Sequence, residues 1–388
     1  MNRIIVTIVF CIGWMVCCAQ TKPVAVGAEA TNEYFPLLKG KRIAVLSNHT
    51  GMVGNEHLVD LLKRKDFNVV CIFSPEHGFR GNADAGEHVS SSVDEKTGIP
   101  ILSLYDGDTG KPSVKSMSLF DVLVFDLQDV GLRFYTYYAT MVRMMDACAE
   151  SQKKMIILDR PNPNGHYVDG PILDMKYKSG VGWLPIPVVH GMTLGELAIM
   201  VNGEKWLPEG RICDISVIKC KNYTHQTMYQ LPIPPSPNLP TMKAVYMYPS
   251  TCYFEATPVS LGRGTDKPFL VYGHPNMLSY SFSFTPRSIP GAKNPPQLNK
   301  ICYGVDLSNL SESDIWKKGV DLTYLIDAYT NLNMGDHFFR SFFEKLIGVS
   351  YVREMIKDGC SADEIKKKWS DDVEKFKKQR APYLLYQE

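Results

Sequence analysis

The chain has 388 residues, of which 45% are hydrophobic and 21% are charged, and its formal net charge is +1 at pH 7. This is ordinary globular composition, in a chain long enough for two or three domains. A net charge near zero gives no electrostatic footprint for binding nucleic acid, and no basic run favours a membrane surface.

The N-terminus has the pattern of a secretory signal peptide. Arg3 precedes an apolar run over residues 4–16, and Cys17-Cys18-Ala19 offers a small-residue cleavage site. An alternative is a lipoprotein in which Cys17 or Cys18 is lipid-modified. Because the apolar run is too short for an ordinary transmembrane helix, we expect an exported, periplasmic protein without stable membrane insertion.

The next part of the chain alternates apolar strand-like runs with amphipathic segments. Strands are predicted over 42–46, 68–73, 99–104, 120–125 and 155–158, and helices over 55–65, capped by Asn55, and 134–151. Continuous apolar strands that alternate with helices are typical of a parallel sheet covered on both faces. The predicted fold class is α/β, with a Rossmann-like, mostly parallel sheet.

The first strand continues into Ser-Asn-His-Thr-Gly (47–51) and not into a GxGxxG turn. The chain also lacks a Walker sequence. Because both phosphate-binding fingerprints are absent, we expect no nucleotide cofactor. We also expect no other cofactor.

A capping box at Thr193 and Glu196 predicts a helix to about residue 201. The proline-rich run 231–240 cannot form a helix or a central strand, and we expect it to be an extended wall or connector. Three regions are predicted: a signal peptide (1–19), a Rossmann-like catalytic domain (20–245) and a smaller C-terminal α/β domain that closes the cleft (246–388).

The C-terminal domain has strand-like runs near 282–286 and 301–306 and a helical end. A second capping box, at Ser361 and Glu364, opens a helix there. Apolar residues then recur at helical spacing and form one stripe, which we interpret as core packing: Ile365, Trp369, Val373 and Phe376.

Polar clusters follow four of the predicted strands. Because the carboxyl ends of parallel strands lie at one edge of a sheet, we expect these clusters to converge on a ligand site. The clusters are Asn48-His49, Glu76-His77-Arg80, Asp126-Gln128-Asp129-Arg133 and Asp159-Arg160-Asn162-Asn164. Carboxylates, arginines and flanking aromatic residues such as Tyr135 suit a sugar that carries a negative group.

Several long motifs together resemble the bacterial exo-β-N-acetylmuramidase family. They are Ser74-Pro-Glu-His-Gly-Phe-Arg-Gly81, residues 83–87, 125–137 and 158–163, Phe254-Glu255, and Gly262-Arg-Gly-Thr265. The resemblance implies a secreted glycoside hydrolase that releases N-acetylmuramic acid from non-reducing ends of peptidoglycan fragments. It also implies a cleft between a Rossmann-like domain and a smaller domain, with the proposed catalytic glutamate at Glu76.

The residues themselves also favour Glu76 as the general acid. Phe73 and Phe79 lie close to it in sequence, and an apolar neighbourhood keeps a carboxylic acid protonated near neutral pH. We expect His77 to orient it or to polarise the site. Its partner is open among four carboxyl groups: Glu87, Asp126, Asp129 and Glu255.

The mechanism is open as well. A protein nucleophile requires carboxyl groups about 5–5.5 Å apart, and a base-activated water requires about 6.5–9.5 Å. Attack by the substrate's own acetamido group requires no protein nucleophile.

The predicted substrate-binding residues are polar or aromatic side chains, most of them at the strand ends. They are Asn48, His49, Arg80, Glu87, Gln128, Asp129, Arg133, Tyr135, Asp159, Arg160, Asn162, His190 and Arg263. One arginine among Arg80, Arg133, Arg160 and Arg263 is expected to bind the lactyl carboxylate.

Two other functions stay open. A metal-dependent cell-wall amidase or deacetylase would draw its ligands from His49, His77, His88 and His190 with Asp84 or Asp126, although no HExxH-type spacing supports it. A non-catalytic muropeptide-binding protein would use the same cleft without turnover.

Overall fold

The computed structural model describes residues 22–75, 79, 92–104 and 111–388. Within these residues the strands are β1 (Ile43–Ser47), β2 (Met52–Val53), β3 (Glu56–His57), β4 (Val69–Ser74), β5 (Ser92–Val93), β6 (Pro100–Ser103), β7 (Val122–Asp126), β8 (Lys154–Leu158), β9 (Ile215–Ile218), β10 (Val271–His274), β11 (Phe282–Phe284) and β12 (Cys302–Asp306). The α-helices are α1 (Thr31–Leu38), α2 (Leu58–Arg64), α3 (Val114–Met117), α4 (Tyr137–Glu150), α5 (Leu194–Gly203), α6 (Met242–Thr251), α7 (Glu312–Lys318), α8 (Thr323–Leu332), α9 (Phe343–Ile347), α10 (Tyr351–Lys357) and α11 (Ala362–Arg380).

Seven strands form one large sheet in the order β5-β6-β4-β1-β7-β8-β9. All neighbouring strands are parallel except β5, which runs antiparallel to β6. Apart from β5, the sheet has the 3-2-1-4-5-6 order of doubly wound nucleotide-binding folds, and the order reverses between β1 and β7. The predicted Rossmann-like sheet is confirmed.

Both faces of this sheet are buried. In β1, Ile43 and Val45 belong to one hydrophobic cluster, whereas Ala44 and Leu46 belong to another. The first cluster includes side chains of α1 and α2, and the second includes side chains of α4 and α5. Alternate residues of a strand point to opposite faces, so the predicted arrangement of helices on both faces is confirmed.

The second half of the chain contains a three-stranded antiparallel sheet in the order β10-β12-β11. Helix α8 contacts this sheet, since Tyr272 Oη of β10 donates to Asp327 Oδ2 of α8 at 2.6 Å. Helix α11 begins with the predicted capping box, in which Ser361 Oγ accepts from Glu364 N, and all four residues of its predicted apolar stripe are buried. The predicted boundary near residue 245 falls inside helix α6, and the division into domains stays a prediction.

One local prediction was wrong. The helix expected from Asn55 begins at Leu58, and its N-cap is His57, because residues 52–57 form a tight β2–β3 hairpin. Gly54 in its turn has φ +58°, a conformation that glycine adopts without steric cost. The buried face of α2, with Leu58, Leu61 and Leu62, is as predicted.

Among the described residues, none of the helices combines the length and the apolar character that a membrane span requires.

Candidate active site

The carboxyl ends of β1, β7 and β8 meet where the strand order reverses. Ser47 at the end of β1 pairs in register with Asp126 at the end of β7. Beyond them, Thr50 Oγ1 donates a 2.6 Å hydrogen bond to Asn48 Oδ1 and accepts one from the backbone N of Gln128. Gln128 Nε2 donates to the Pro161 carbonyl at 2.8 Å. The predicted convergence of these strand ends is therefore present.

Asn48 and Gln128 are buried, and their side chains bond mainly to the protein itself. Asn48 Nδ2 donates to Tyr137 Oη at 2.8 Å, and Gln128 Nε2 also donates to the Asp129 carbonyl at 2.9 Å. We infer that these two side chains hold the strand ends together. Gln128 also lines a cavity of about 240 Å³ with Thr50 and Arg160, and the substrate contact predicted for both side chains stays a prediction.

Asp126 forms a buried ion pair with Arg160. Arg160 Nε and Nη2 lie 2.5 and 3.0 Å from the two carboxylate oxygens, and Nη2 also donates to the Met52 carbonyl at 3.0 Å. The Asp126 side chain has no exposed surface. This bidentate geometry occupies both oxygens of Asp126, which does not favour its predicted catalytic role.

Arg133 is fully buried, and no carboxylate among the described residues pairs with it. Its guanidinium donates to four backbone carbonyls, those of Pro171, Ile186, Leu346 and Ile347, at 2.7–2.9 Å. Burial lowers the pKa of Arg133 to about 10. We assign Arg133 a structural role, because it ties the segment before α4 to the end of helix α9.

Asp159 lies at the N-terminus of α5. It accepts hydrogen bonds from Thr193 Oγ1 at 2.7 Å, Gly195 N at 2.9 Å and Tyr386 Oη at 2.6 Å. Burial raises the pKa of Asp159 to about 6. The predicted capping box at Thr193 and Glu196 is confirmed beside it. Asp159 therefore joins the sheet, α5 and the C-terminal tail.

Asn162 and His190 are likewise enclosed by protein. Asn162 Nδ2 donates to the Met192 carbonyl, and His190 Nδ1 accepts from the Met192 backbone N. Burial lowers the pKa of His190 to about 3, so the ring is neutral at pH 7. Neither environment favours the predicted contact with substrate.

Asp129 has a different environment. Its Oδ1 accepts from Gly131 N at 2.6 Å, whereas Oδ2 is buried without a hydrogen-bond partner in the described part of the chain. Burial raises the pKa of Asp129 to about 7. Asp129 follows β7 and is close to Tyr135 in sequence. Because its pKa is raised, its carboxyl group keeps a proton to a higher pH than that of an ordinary aspartate.

A cavity of about 130 Å³ lies between the two halves of the chain, and we call it the aromatic cavity. It contains three of the residues predicted from sequence: Tyr135, Glu255 and Arg263. Its lining comprises Phe134, Tyr135, Thr136, Tyr137, Val181, Ser236, Asn238, Leu239, Tyr248, Glu255, Arg263 and Phe269. Aromatic rings, three small polar side chains and one ion pair make a lining of the kind that small-molecule sites have.

The proline-rich run 231–240 forms one wall of this cavity, in agreement with its predicted role. Tyr135 Oη donates to the Pro235 carbonyl at 2.8 Å, and His49 Nε2 lies 3.0 Å from the Pro234 carbonyl oxygen. His49 and Tyr135 thus hold the connector against the strand ends.

Arg263 and Glu255 come from the C-terminal half. Arg263 Nη2 lies 2.5 Å from Glu255 Oε1, and the guanidinium lies 5.3 Å from the centre of the Phe269 ring. Each side chain of the pair is 23% exposed. This ion pair is therefore partly open to the cavity, unlike the closed pair of Asp126 and Arg160.

Four predicted site residues lie outside the described residues: Glu76, His77, Arg80 and Glu87. The described residues nearest to Glu76 in sequence are Pro75 and Phe79. Phe79 is buried, and its ring makes an edge contact with His57 at 4.9 Å between centroids. His57 Nε2 in turn lies 2.8 Å from the Asn48 carbonyl oxygen, at the end of β1.

In the described ranges, no three His, Cys, Asp or Glu side chains are grouped as metal ligands would be. His77, His88 and Asp84, which the amidase hypothesis also uses, lie outside those ranges.

Sequence reasoning missed Tyr248 and Phe269, which line the aromatic cavity. Both occur in apolar stretches that look like core, so no local signal separates them from packing residues. Ser236 and Asn238 lie in the proline-rich run, and the prediction that this run forms a wall was the sequence feature that could have identified them as cavity residues.

Two family models match the chain in succession. The model described as exo-β-N-acetylmuramidase NamZ, N-terminal, matches residues 43–243, and the corresponding C-terminal model matches residues 246–386. A relative from Bacillus subtilis (strain 168), named peptidoglycan β-N-acetylmuramidase NamZ, is 39% identical over 379 residues, which cover 91% of this chain and 89% of the relative.

Solved structures agree with this assignment. A DUF1343 family protein from Bacteroides fragilis NCTC 9343 is 71% identical, with a TM-score of 0.89 over 95% of this chain and 100% of that chain. A second DUF1343 family protein from the same organism is 29% identical, with a TM-score of 0.77 over 94% of this chain and 99% of that chain. With both family models matched and the two-part α/β fold shared, this chain belongs to the exo-β-N-acetylmuramidase NamZ family.

Proposed function

We propose that the protein is an exo-acting glycoside hydrolase that releases N-acetylmuramic acid from non-reducing ends of peptidoglycan fragments. The observation that carries this proposal is the match of both family models, which together span residues 43–243 and 246–386. The Bacillus subtilis relative, named for this activity, supports it across nearly the full length of both chains.

The aromatic cavity supports the same substrate class. Rings of Phe134, Tyr135 and Tyr248 offer apolar surfaces to the faces of a sugar, and Ser236 and Asn238 offer polar groups to its hydroxyls. The connector 231–240 closes one side of the cavity, and a closed side suits an enzyme that acts on chain ends.

Within this proposal Glu76 is the general acid and protonates the leaving glycosidic oxygen. It follows β4 after one intervening residue, Pro75, and strand carboxyl ends are where sheets of this type place their chemistry. Phe73 and Phe79 lie on either side of Glu76 in sequence, and an apolar neighbourhood around the carboxyl group would favour its protonated form.

The structure makes some of the candidates for the second catalytic group less suitable than others. Asp126 is engaged by Arg160, and one oxygen of Glu255 is engaged by Arg263. Asp129, with a pKa raised by burial to about 7, suits proton transfer more than nucleophilic attack. Glu87, the fourth candidate, lies outside the described residues. Among the three described candidates this distribution favours attack by the substrate's own acetamido group over a nucleophilic carboxylate.

We also propose that residues 1–19 direct export and that the mature protein acts in the periplasm. The support is the charged, apolar and small-residue pattern of that segment, with lipidation of Cys17 or Cys18 as the alternative. Mass spectrometry of the protein recovered from its host would measure the mature N-terminus. A mature protein that begins at Met1 would contradict export.

The test of the activity uses a chromogenic β-N-acetylmuramide with the wild-type protein and the Glu76→Gln variant. We expect hydrolysis by the wild type and a loss of at least about 100-fold in the variant, because general acid catalysis contributes 10²–10⁴-fold. Glutamine keeps the shape of the side chain, so equal unfolding transitions would exclude a folding defect. Hydrolysis by both proteins would move the acid elsewhere, and hydrolysis by neither would support the muropeptide-binding alternative.

A further inference from the structure

Three of the arginines predicted as partners for a substrate carboxylate lie in the described part of the chain, and they are not equivalent. Arg133 donates to four backbone carbonyls and is fully buried. Arg160 is engaged by Asp126 and the Met52 carbonyl. Arg263 alone among the three lines the aromatic cavity, so its guanidinium is the one that a ligand in that cavity meets.

The guanidinium of Arg263 has unused hydrogen-bonding capacity. Within the described residues only its Nη2 has an acceptor, Glu255 Oε1, whereas Nε and Nη1 have none. A guanidinium presents five N–H donors in a planar fork that matches the two oxygens of a carboxylate. Glu255 Oε1 accepts from one of the two N–H groups of Nη2, so the second Nη2 N–H, together with the adjacent N–H of Nη1 or Nε, forms an edge that is open for a second carboxylate.

The conformation of the loop that carries Arg263 is fixed by two glycines. Gly262 and Gly264 have φ of +82° and +81°, and a Cβ at either would lie 2.4 Å from a backbone oxygen, that of Lys267 or of Arg287. The Gly264 carbonyl also accepts from Arg287 N at 2.8 Å. Two glycines at positions where any side chain would be strained fix the loop, and the guanidinium lies 5.3 Å from the centre of the Phe269 ring.

We propose that Arg263 binds the carboxylate of the 3-O-lactyl group of the substrate in the aromatic cavity, and that Glu255 competes for the same guanidinium. This inference rests on the proposed function, because the lactyl ether is the group that distinguishes N-acetylmuramic acid from N-acetylglucosamine. Arg263 thereby sets specificity for muramic substrates. Glu255 orients the guanidinium through one N–H of Nη2 and leaves the other Nη2 N–H, with the neighbouring N–H of Nη1 or Nε, to the ligand.

The competition by Glu255 gives the two residues opposite effects on an anionic ligand. In the free protein the pair is neutral overall, and an arriving carboxylate adds a second negative charge beside Glu255. Glu255→Gln keeps the size and removes that repulsion, so it should strengthen binding of a carboxylate. Arg263→Ala removes the charge and the fork, and Arg263→Lys keeps the charge without the fork.

The experiment measures binding by isothermal titration calorimetry of three probes: N-acetylmuramic acid, its lactyl methyl ester and N-acetylglucosamine. For the wild type we expect the acid to bind at least about tenfold more tightly than the ester, because hydrogen bonds between charged groups are the strong ones. Arg263→Ala should remove this preference, Arg263→Lys should retain part of it, and Glu255→Gln should increase it. Arg64→Ala, on the exposed face of α2, is the matched control.

Three results would overturn the proposal: equal binding of acid and ester by the wild type, equal losses on all probes in Arg263→Ala, or weaker binding of the acid by Glu255→Gln. Absence of detectable binding by all probes up to their solubility would also overturn it. Hydrolysis of the chromogenic β-N-acetylmuramide by the wild type is measured in parallel. If the wild type hydrolyses the substrate but binds the acid and the ester equally, this inference alone is refuted. If the wild type does not hydrolyse the substrate, the proposed function is refuted.

Discussion

Arg133 Nη2 donates a 2.7 Å hydrogen bond to the carbonyl oxygen of Ile347, 214 positions later in the chain. The acceptor belongs to the last residue of helix α9, where backbone carbonyls lack partners within the helix and carry partial negative charge. Arg133 itself lies between the end of β7 and the start of α4. One side chain thus joins the crossover connection of the large sheet to the C-terminal half.

We predict that Arg133→Ala lowers the free energy of unfolding by about 3–5 kcal/mol, because it leaves four buried carbonyls without a donor. Urea denaturation followed by circular dichroism measures the change. Arg133→Lys, which keeps the charge with fewer donors, should lose less. Arg64→Ala, which removes an exposed ion pair with Glu56, should change stability by less than about 1 kcal/mol. Equal effects of the two alanine variants would contradict the structural role of Arg133.

The Asp126–Arg160 pair should show strong coupling. Asp126→Leu and Arg160→Met each leave a buried charge without its partner, and we expect each to cost about 3–5 kcal/mol of unfolding free energy. The double variant replaces the pair by apolar side chains and should cost clearly less than the sum of the two. A double-mutant cycle from urea denaturation measures the coupling energy. Additive single effects would show that the two side chains act independently.

A mostly parallel sheet covered on both faces could be predicted from sequence, because apolar runs such as 42–46 and 120–125 end abruptly in polar residues. That pattern follows from strands buried on both faces, and the structure has β1 and β7 as neighbours there. The β2–β3 hairpin was missed, since strands of two residues have no periodicity to detect.

The candidate site was predictable only in part. Sequence placed Arg133, Arg160 and Arg263 in one group because all three are arginines beside distinctive motifs. What separates them is their partners, and those of Arg133 include carbonyls of residues 346 and 347, far away in the chain. No local sequence pattern reveals whether the N–H groups of an arginine donate to such distant acceptors.

The carboxyl group of Asp129 should make stability depend on pH. Burial raises its pKa in the folded protein to about 7, whereas an unfolded Asp has a pKa of about 3.9. The folded state therefore binds more protons between pH 4 and 7, and this contribution to stability is complete below pH 4 and lost as the pH rises through 7.

Asp129→Asn removes this titration while keeping the shape of the side chain. Relative to the variant, the wild type should lose about 1.4 kcal/mol of unfolding free energy for each pH unit between 4 and 7. Urea denaturation of both proteins at pH 5 and pH 7.5 measures the difference. A difference that is the same at both values would exclude the raised pKa.

Gly262 and Gly264 should be intolerant of a side chain. Alanine at either position combines a strained positive φ with a Cβ only 2.4 Å from a backbone oxygen, so the loop that carries Arg263 must shift. We expect a loss of about 1–3 kcal/mol in unfolding free energy and a fall in hydrolysis of the chromogenic β-N-acetylmuramide that exceeds the loss of folded protein. Gly180→Ala is the control, because Gly180 is exposed and has nothing within 4 Å of the added Cβ. Wild-type activity in Gly262→Ala or Gly264→Ala, with the Gly180→Ala variant unchanged, would show that the position of Arg263 does not matter for turnover.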